Sequence, residues 1–529
     1  MSKYVIAHDV GTSSIKTALI NERGEIIACN TSAYGITHTQ PGWVEQNPED
    51  YWQGSVINTR KILESPVIDP EGILGIVFTT QAMGIIPVDR NGNTMKNNIT
   101  WVDGRAQEQA RWIMNLLGGK AIFRKIIGTE ISGKDVLPKL RWLKQNEPEI
   151  YNRMDKVLDV NGYLKFRATG KMVFEWSGAC SYVFDLKKKN WEYLLFRLIG
   201  FDIAKLPPLV RSTDIVGTLT PEAAMELGVP ESVRVFGGCD DTQSAAIGSG
   251  SASEGEAHIY LGTSAWVGIT TAKNLNHKNG AFILQSADPA MNLLVGITES
   301  AGSNLEWMIE KFYKFENNDP AVENIYDFIN HETFGIPAGS DNLLFTPWLL
   351  GERCPVSTTT TRGTIFNLGP EHTRGHFVNA LLEGIGFNLR WILENVKRDF
   401  GFNPIKLRAI GGGSINEKWM QGIANITGKI VETITQPTYA GTLGAASCVF
   451  VGCGYFESFN DINGVIQVKK VYVPDPLASI AYDELFKSYK NVYASLKNAY
   501  IYANTEQTKI YHSLSIKLFK FIKWILSTA

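Results

Sequence analysis

Val5-Ile6-Ala7-His8-Asp9-Val10-Gly11-Thr12-Ser13-Ser14-Ile15-Lys16-Thr17-Ala18-Leu19-Ile20 reads as an apolar strand, a small polar turn and a second apolar strand. Such a turn offers unobstructed backbone N–H groups and two hydroxyls, which suit a phosphate oxygen. The same tripeptide returns at Gly262-Thr263-Ser264, between His258-Ile259-Tyr260-Leu261 and Ala265-Trp266-Val267-Gly268-Ile269. Two such hairpins in one chain imply a duplicated domain that holds a polyphosphate from both sides. Gly11, Thr12, Ser13, Lys16, Gly262, Thr263 and Ser264 are the candidate phosphate contacts.

Working outward, the first hairpin runs through a polar Gly-containing turn (residues 21–25) into a third strand at 26–29. Residues 73–80 read as a further apolar strand, and 105–117 and 137–145 as helices. The small-residue stretch Gly248-Ser249-Gly250-Ser251-Ala252-Ser253 reads as a hinge or inter-domain crossing. Beyond it the hairpin pattern restarts over 257–271. A long helix (378–398), a strand (406–410), a glycine turn, a helix (417–427) and a final core helix (479–499) follow. The expected fold is α/β: two actin-like (ribonuclease H-like) ATPase lobes around a central nucleotide cleft. The expected divisions are 1–249 for the sugar- and phosphate-binding lobe, 250–500 for the adenosine-binding lobe and 501–529 for a helical appendage. Neither a Walker A pattern nor G-x-G-x-x-G occurs, so a nucleotide must use the hairpins.

Phosphoryl transfer needs a phosphate cradle, a metal with a carboxylate near it and a base for the attacking hydroxyl. Asp9, at the end of the first strand, is placed to hold Mg²⁺ through water; the bland alternative is an Asp capping its own turn. The strand Arg234-Val235-Phe236 ends in Gly237-Gly238-Cys239-Asp240-Asp241, ahead of an Ala-rich helix. Asp241 then stands at a helix N-terminus, where an ordinary N-cap is the competing reading. Paired glycines let a ligand approach the backbone, which favours function.

These pieces, in this order and spacing, resemble the FGGY carbohydrate-kinase family, nearest to its xylulokinase-like branch, from about Lys3 to about Gly454. The two phosphate motifs match Asp9-Val10-Gly11-Thr12-Ser13 and Leu261-Gly262-Thr263-Ser264. The adenosine-side motif is similar to Ala409-Ile410-Gly411-Gly412-Gly413-Ser414, followed by Trp419 and Gln421. The resemblance implies ATP and Mg²⁺ as cofactors, with Gly411, Gly412, Gly413 and Ser414 on the adenosine. It implies a catalytic base seven residues before a glycine. Counting back from Gly248 selects Asp241, with Asp240 the close alternative, and Asp9 and Asp241 as metal-side carboxylates. The signature stretches Val136–Asn146 and Gly363–Leu368 carry departures: Val136 replaces a usual Pro, Ser or Thr, and Asn367 replaces a usual glycine.

Sugars need flat apolar surface and convergent hydrogen-bonding groups. Three stretches offer them: Trp43-Val44-Glu45-Gln46, Gln81-Ala82-Met83 and Trp101-Val102-Asp103-Gly104-Arg105. The expected substrate contacts are Gln81, Ala82, Met83, Trp101, Asp103, Asp240 and Asp241. Ala82-Met83 stands where glycerol kinases carry Arg-Glu and xylulokinases Met-His, so glycerol is disfavoured and a pentulose such as D-xylulose is favoured. The second half also offers Glu299–Asn304 and Phe345-Thr346-Pro347-Trp348-Leu349-Leu350-Gly351-Glu352-Arg353. The latter resembles the family's P-x-x-x-G-E-R stretch, which implies a place at the inter-lobe cleft, against a packed loop with a Glu352–Arg353 surface pair. The rival readings are a kinase for another ketose or sugar alcohol, a non-kinase actin-like ATPase and a sugar sensor without turnover.

The 529 residues carry 51 basic and 53 acidic side chains, a net charge of −2, which argues against nucleic acid as a partner. Six scattered cysteines without a C-x-x-C pair imply a reducing, cytoplasmic setting, and a strand beginning within a few residues of Met1 implies no signal peptide. Residues 510–526 place Lys517, Lys520 and Lys523 at three-residue intervals in apolar sequence. Such a helix is expected to pack on its own protein or a partner subunit, as in a homodimer, rather than on a membrane.

Overall fold

The computed structural model describes residues 3–119, 122–123 and 131–504. Its first half is built on a seven-stranded sheet. The strands are β1 (Tyr4–Val10), β2 (Ser14–Asn21), β3 (Ile26–Ala33), β4 (Ile73–Thr80), β5 (Ile215–Thr218) and β6 (Arg234–Phe236). They lie in the order β5-β6-β4-β1-β2-β3, and the short strand Cys239–Asp240 extends the sheet beside the end of β4. β1 pairs antiparallel with β2 and parallel with β4, so the turn after β1 and the ends of β4 and Cys239–Asp240 share one sheet edge. The helix α1 (Asp241–Gly248) leaves directly from that edge.

The second half repeats this pattern. Its strands are β7 (Ala257–Leu261), β8 (Ala265–Thr271), β9 (Ala281–Gln285) and β10 (Asn292–Ile297), then β11 (Lys406–Ile410), β12 (Ile430–Ile434) and β13 (Val468–Tyr472). They order as β9-β10-β8-β7-β11-β12-β13. From β13 to β10 every pairing has the same sense as its counterpart from β5 to β3: antiparallel, parallel, parallel, antiparallel, antiparallel. β7 is thus the counterpart of β1, and Gly262-Thr263-Ser264 stands where Gly11-Thr12-Ser13 stands. The expected duplicated, ribonuclease H-like α/β fold is what the chain forms.

The helices behind the second sheet are α2 (Gly302–Phe312), α3 (Arg374–Phe400), α4 (Ala440–Gly452) and α5 (Pro476–Asn504). α3 is the spine of that lobe: Val378, Leu381, Ile385, Leu389 and Ile392 recur at helical spacing and are buried against β7 and β8 residues. At roughly 1.5–3 kcal/mol for each fully buried aliphatic side chain, this one face anchors the lobe.

α1 and α4 meet between the lobes. Leu443, Ala446, Val449 and Phe450 of α4 share a core with Val5, Ala7, Ala18 and Val77 of the first sheet. Ala245 and Ala246 of α1 join Trp266, Leu293 and Val295 of the second. The two helices cross in near contact because glycine is at each crossing point. A Cβ on Gly248 would stand 1.7 Å from the Ala440 carbonyl oxygen, and one on Gly444 1.9 Å from that of Ser244. α1 packs on both sheets, since Ile247 joins the Val5, Ala7 and Val77 core and Thr79 Oγ1 donates to Ser244 Oγ (2.8 Å). The crossing itself is buried, and Arg408 donates to the Ser249 carbonyl (3.0 Å), so it is a fixed connection as built.

Several expected elements keep their bounds (73–80, 406–410, 417–427) and others lengthen. The final helix runs Pro476–Asn504, so residues 501–504 continue it instead of opening an appendage; the basic segment 510–526 lies outside the described residues. Asn367, in place of the family's glycine, has φ 66°, a left-handed conformation that Asn tolerates better than most residues. Among the described residues, no helix is long and apolar enough to cross a membrane.

Candidate active site

The first turn is held open by its own hairpin and by four side chains. Gly11 N–H donates to the Ser14 carbonyl (3.0 Å), which closes the turn. The Tyr34 hydroxyl donates to the Gly11 carbonyl, the Gln46 amide to the Thr12 carbonyl (2.7 Å), and the Gln81 amide to the Gly11 carbonyl (3.3 Å). The Trp101 indole N–H donates to Thr12 Oγ1 (3.0 Å). With these carbonyls already engaged by the protein, the backbone N–H groups of the turn are the part that suits an anion.

The second turn is tied from behind by the start of α2. Ala301 and Ser303 N–H groups donate to the Thr263 carbonyl (2.9 and 3.1 Å), and Gly302 N–H to that of Gly262 (2.9 Å). The stretch Glu299–Asn304 therefore acts in part as the clamp on this turn. Thr263 and Ser13 are exposed, with their hydroxyls available.

Asp9 ends β1 directly opposite Lys16 in the hairpin register, and Lys16 Nζ donates to the Thr438 carbonyl across the lobes (3.2 Å). The N-terminus of α4 comes up against Asp9: a Cβ on Gly441 would stand 2.7 Å from its Oδ2. Burial holds the Asp9 carboxyl above its ordinary range, opposed by Lys16. Asp241, in the first turn of α1, is pushed up to about 6, by desolvation first and then by the negative charge of Asp9. Two partly buried carboxylates that repel one another beside two phosphate turns fit a Mg²⁺ ion, whose charge would relieve that repulsion. Among the described residues no third acidic, His or Cys ligand completes a protein cage. That suits an ion held chiefly by water and phosphate oxygens.

Asp240 has a different environment from its neighbour. It is buried; its Oδ2 accepts from Ser181 Oγ (3.1 Å), its N–H donates to Ser177 Oγ (2.9 Å), and its Oδ1 has no partner. Desolvation and the charges of Asp159, Asp241 and Glu175 raise its carboxyl well above the usual range. Asp240 holds the N-cap position of α1 without a side-chain cap bond, and Asp241, for which the N-cap was the competing reading, is the first residue of the helix.

Two of the expected sugar contacts are bonded within the protein, although Gln81 Oε1 has no partner among the described residues. Gln81 is buried, its amide shared between the Gly11 carbonyl and Gln46 Oε1 (2.9 Å), so it shapes the phosphate turn. Asp103 is fully buried and accepts from Arg105 and from Val44 N–H, while Arg105 also reaches Glu45 Oε1 (2.8 Å). The Arg105 guanidinium lies between Trp43 and Trp142, 4.1 and 4.9 Å from their ring centroids. This network fixes the loop that carries Trp101, aided by the buried Lys139, which donates to the Thr100 carbonyl (2.7 Å). Burial lowers the Lys139 ammonium to about 7. Trp101, Ala82 and Met83 stay partly exposed, and Met83 takes a left-handed φ of 62°.

On the adenosine side, Gly412 is open, with nothing within 4 Å of where a Cβ would be. Gly413 rests on the Trp419 ring, and Ser414 is buried with its hydroxyl donated to the Gly411 carbonyl (2.7 Å). The open face of this turn is therefore Gly412-Gly413, with Ser414 and Trp419 as its support. Tyr34 and Gly441 were not anticipated. The run Ala440-Gly441-Thr442-Leu443-Gly444-Ala445-Ala446 was the available signal, being as small-residue-rich as 244–250.

A duplicated hairpin-turn fold with paired carboxylates between its turns defines an ATP-dependent phosphotransferase of the actin-like class. The chain belongs to the FGGY family of carbohydrate kinases: the family's N-terminal domain matches residues 4–248 and its C-terminal domain residues 257–453. It is 30% identical to the xylulose kinase of Bacillus subtilis (strain 168) over 499 residues, 94% of this chain and 98% of that one. It is 26% identical to a gluconokinase of the same organism over 506 residues, 94% and 97% of the two chains. The ligand-bound xylulose kinase of Lactobacillus acidophilus superposes with a TM-score of 0.85 at 25% identity, covering 94% of this chain and 99% of that one.

Proposed function

We propose that this carbohydrate kinase transfers the γ-phosphoryl group of ATP to a terminal hydroxyl of a pentulose such as D-xylulose, with Asp241 as general base. The observation that carries the reading is the pairing of Asp9 and Asp241 between the two turns, with the Asp241 carboxyl raised to about 6. A base of that strength is largely ionised at neutral pH yet still basic enough to take a proton from an alcohol under attack. Asp240, buried with its carboxyl raised well above the usual range, is the poorer base.

The backbone N–H groups and hydroxyls at Gly11, Thr12, Ser13, Gly262, Thr263 and Ser264 would cradle the phosphates, and Gly412-Gly413 would approach the adenosine. Asp9 and Asp241 would hold Mg²⁺ through water, and the ion would neutralise charge developing on the transferring phosphoryl group. Trp101, Ala82 and Met83 would line the sugar, with Trp101 offering an apolar face to its C–H groups. Lobe closure about α1 and α4 would exclude water and so limit wasteful ATP hydrolysis. A cytoplasmic setting accords with six free cysteines among the described residues.

Gluconate is the second reading, favoured by a gluconokinase that aligns over nearly the same share of the chain as the xylulose kinase. ADP release with Mg-ATP, measured against pentuloses, hexuloses, aldoses, polyols and aldonates, tests both. A strong response to D-xylulose supports the first reading and a dominant response to gluconate replaces it. Silence across the whole panel, with ATP binding intact, refutes sugar phosphorylation by this chain.

A further inference from the structure

The mouth of the cleft, beside Trp101, is spanned by charged side chains from both halves of the chain. Lys134 stands in the first half, just before the helix Val136–Asn146, and its Nζ donates to Glu299 Oε1 (3.0 Å) in the second half. The other Glu299 oxygen accepts from Arg353 Nε. Among the described residues, Lys134–Glu299 is the one ion pair that joins the part of the chain before residue 249 to the part after 257. Glu299 is only 14% exposed, so water screens the pair incompletely.

The far side of the bridge is rigid. Glu352 Oε1 accepts from the N–H groups of both Glu299 (2.6 Å) and Arg353 (2.9 Å), and Asn388 of α3 donates to Glu352 Oε2 (2.6 Å). Asn388 is itself bonded by the Tyr489 hydroxyl of α5 (2.9 Å). Thus Glu299 and Arg353 are fixed to the spine of the second lobe. The Arg353 guanidinium lies 5.9 Å from the centroid of the Trp101 ring, and among the described residues its terminal nitrogens have no hydrogen-bond partner. Trp101 in turn is bonded to Thr12 of the first phosphate turn. One chain of contacts therefore runs from α5 and α3 through Glu352 and Arg353 to Trp101 and Thr12, and Lys134 ties the first half to it at Glu299.

We propose that Lys134 and Glu299 are positioning residues that hold the two lobes closed over Trp101 and aim the free end of Arg353 at the bound substrate. The inference rests on the kinase reading for its kinetic consequence. The bridge itself is a matter of lobe geometry. With closure favoured by the ion pair, substrate binding has less conformational work to do; without it, apparent affinity falls by the fraction of time the cleft is open.

The test compares wild type with Lys134→Met and Lys134→Arg, using the best sugar from the panel. Lys134→Met is expected to raise the KM for that sugar about 5- to 30-fold while kcat changes less than about 2-fold. Lys134→Arg restores KM. Raising KCl from low to high concentration raises the wild-type KM and leaves that of Lys134→Met nearly flat, because only the wild type has a pair to screen. Small-angle scattering supplies a readout that needs no turnover: ligand-free Lys134→Met has a larger radius of gyration than wild type, and Lys134→Arg matches wild type. An unchanged KM, an unchanged salt slope or equal radii of gyration would overturn the proposal. Failure of every variant, wild type included, to phosphorylate any sugar sinks the kinase reading, and the scattering still decides the bridge.

Discussion

Asp241→Asn separates the base from the fold. The substitution keeps the volume and the start of α1, and removes both the proton acceptor and one of two repelling carboxylates. Loss of a positioned base costs about 10²- to 10⁴-fold in rate, or ~3–5 kcal/mol of barrier. Stability should move the other way. The carboxyl rises from 3.8 to about 6, a change worth ~3 kcal/mol at full strength between its charged and neutral forms. Partial exposure reduces that, so a gain of ~1–2 kcal/mol above pH 7 is expected. The sign follows from linkage: a carboxyl raised by folding penalises the folded state as pH climbs through its folded value, and asparagine never ionises. The gain should therefore vanish below about pH 4, where Asp241 is protonated in both states. Stopped-time sugar-phosphate assays and urea unfolding at pH 8 and pH 4 measure the two halves. A variant that turns over within a few-fold of wild type refutes the base assignment. One that is inactive and also less stable at pH 8 refutes the account of Asp9–Asp241 repulsion.

For the wild type, kcat/KM should fall about tenfold per pH unit below about 6, as Asp241 takes up its proton; a plateau continuing to pH 5 would contradict that assignment. Gly248→Ala should destabilise by ~2 kcal/mol or more, because its methyl would meet the Ala440 carbonyl at 1.7 Å; urea unfolding within ~0.5 kcal/mol of wild type would show that α1 and α4 can separate freely. Arg105→Met should cost ~3–5 kcal/mol, since it strands the fully buried Asp103 carboxylate, while Glu45 keeps Lys96 (3.4 Å). A change below ~1 kcal/mol would mean that water reaches that network.

The motif-bearing strands were legible because their signals are local. Ile73–Thr80, Arg234–Phe236 and Lys406–Ile410 are short apolar runs bounded by turn residues, and they appear with the expected bounds. Gln81 and Asp103 show where local reading fails. Both types suit a sugar, and both lie in the right loop. Their actual partners, Gly11 and Gln46 for one, Val44 and Arg105 for the other, are set by how loops 11–14, 43–46 and 81–105 fold over each other. Asp240 and Asp241 differ by one residue in sequence. The pleat of Cys239–Asp240 and the start of α1 send one side chain to Ser181 and leave the other near Asp9.

By itself, then, the sequence determined the repeated strand–turn–strand unit and the family, and it put forward the carboxylates proposed for the chemistry. Each follows from residue type and spacing along a few consecutive positions. Tertiary structure alone decided that α4 packs on the first sheet while α1 touches both, that Gln81 bonds the Gly11 carbonyl and Asp103 bonds Arg105 and Val44, and that Lys134 meets Glu299 from the other half of the chain. Those outcomes depend on contacts between residues tens to hundreds of positions apart, and what fixes them is close packing and the need to satisfy buried polar groups, which no local pattern encodes.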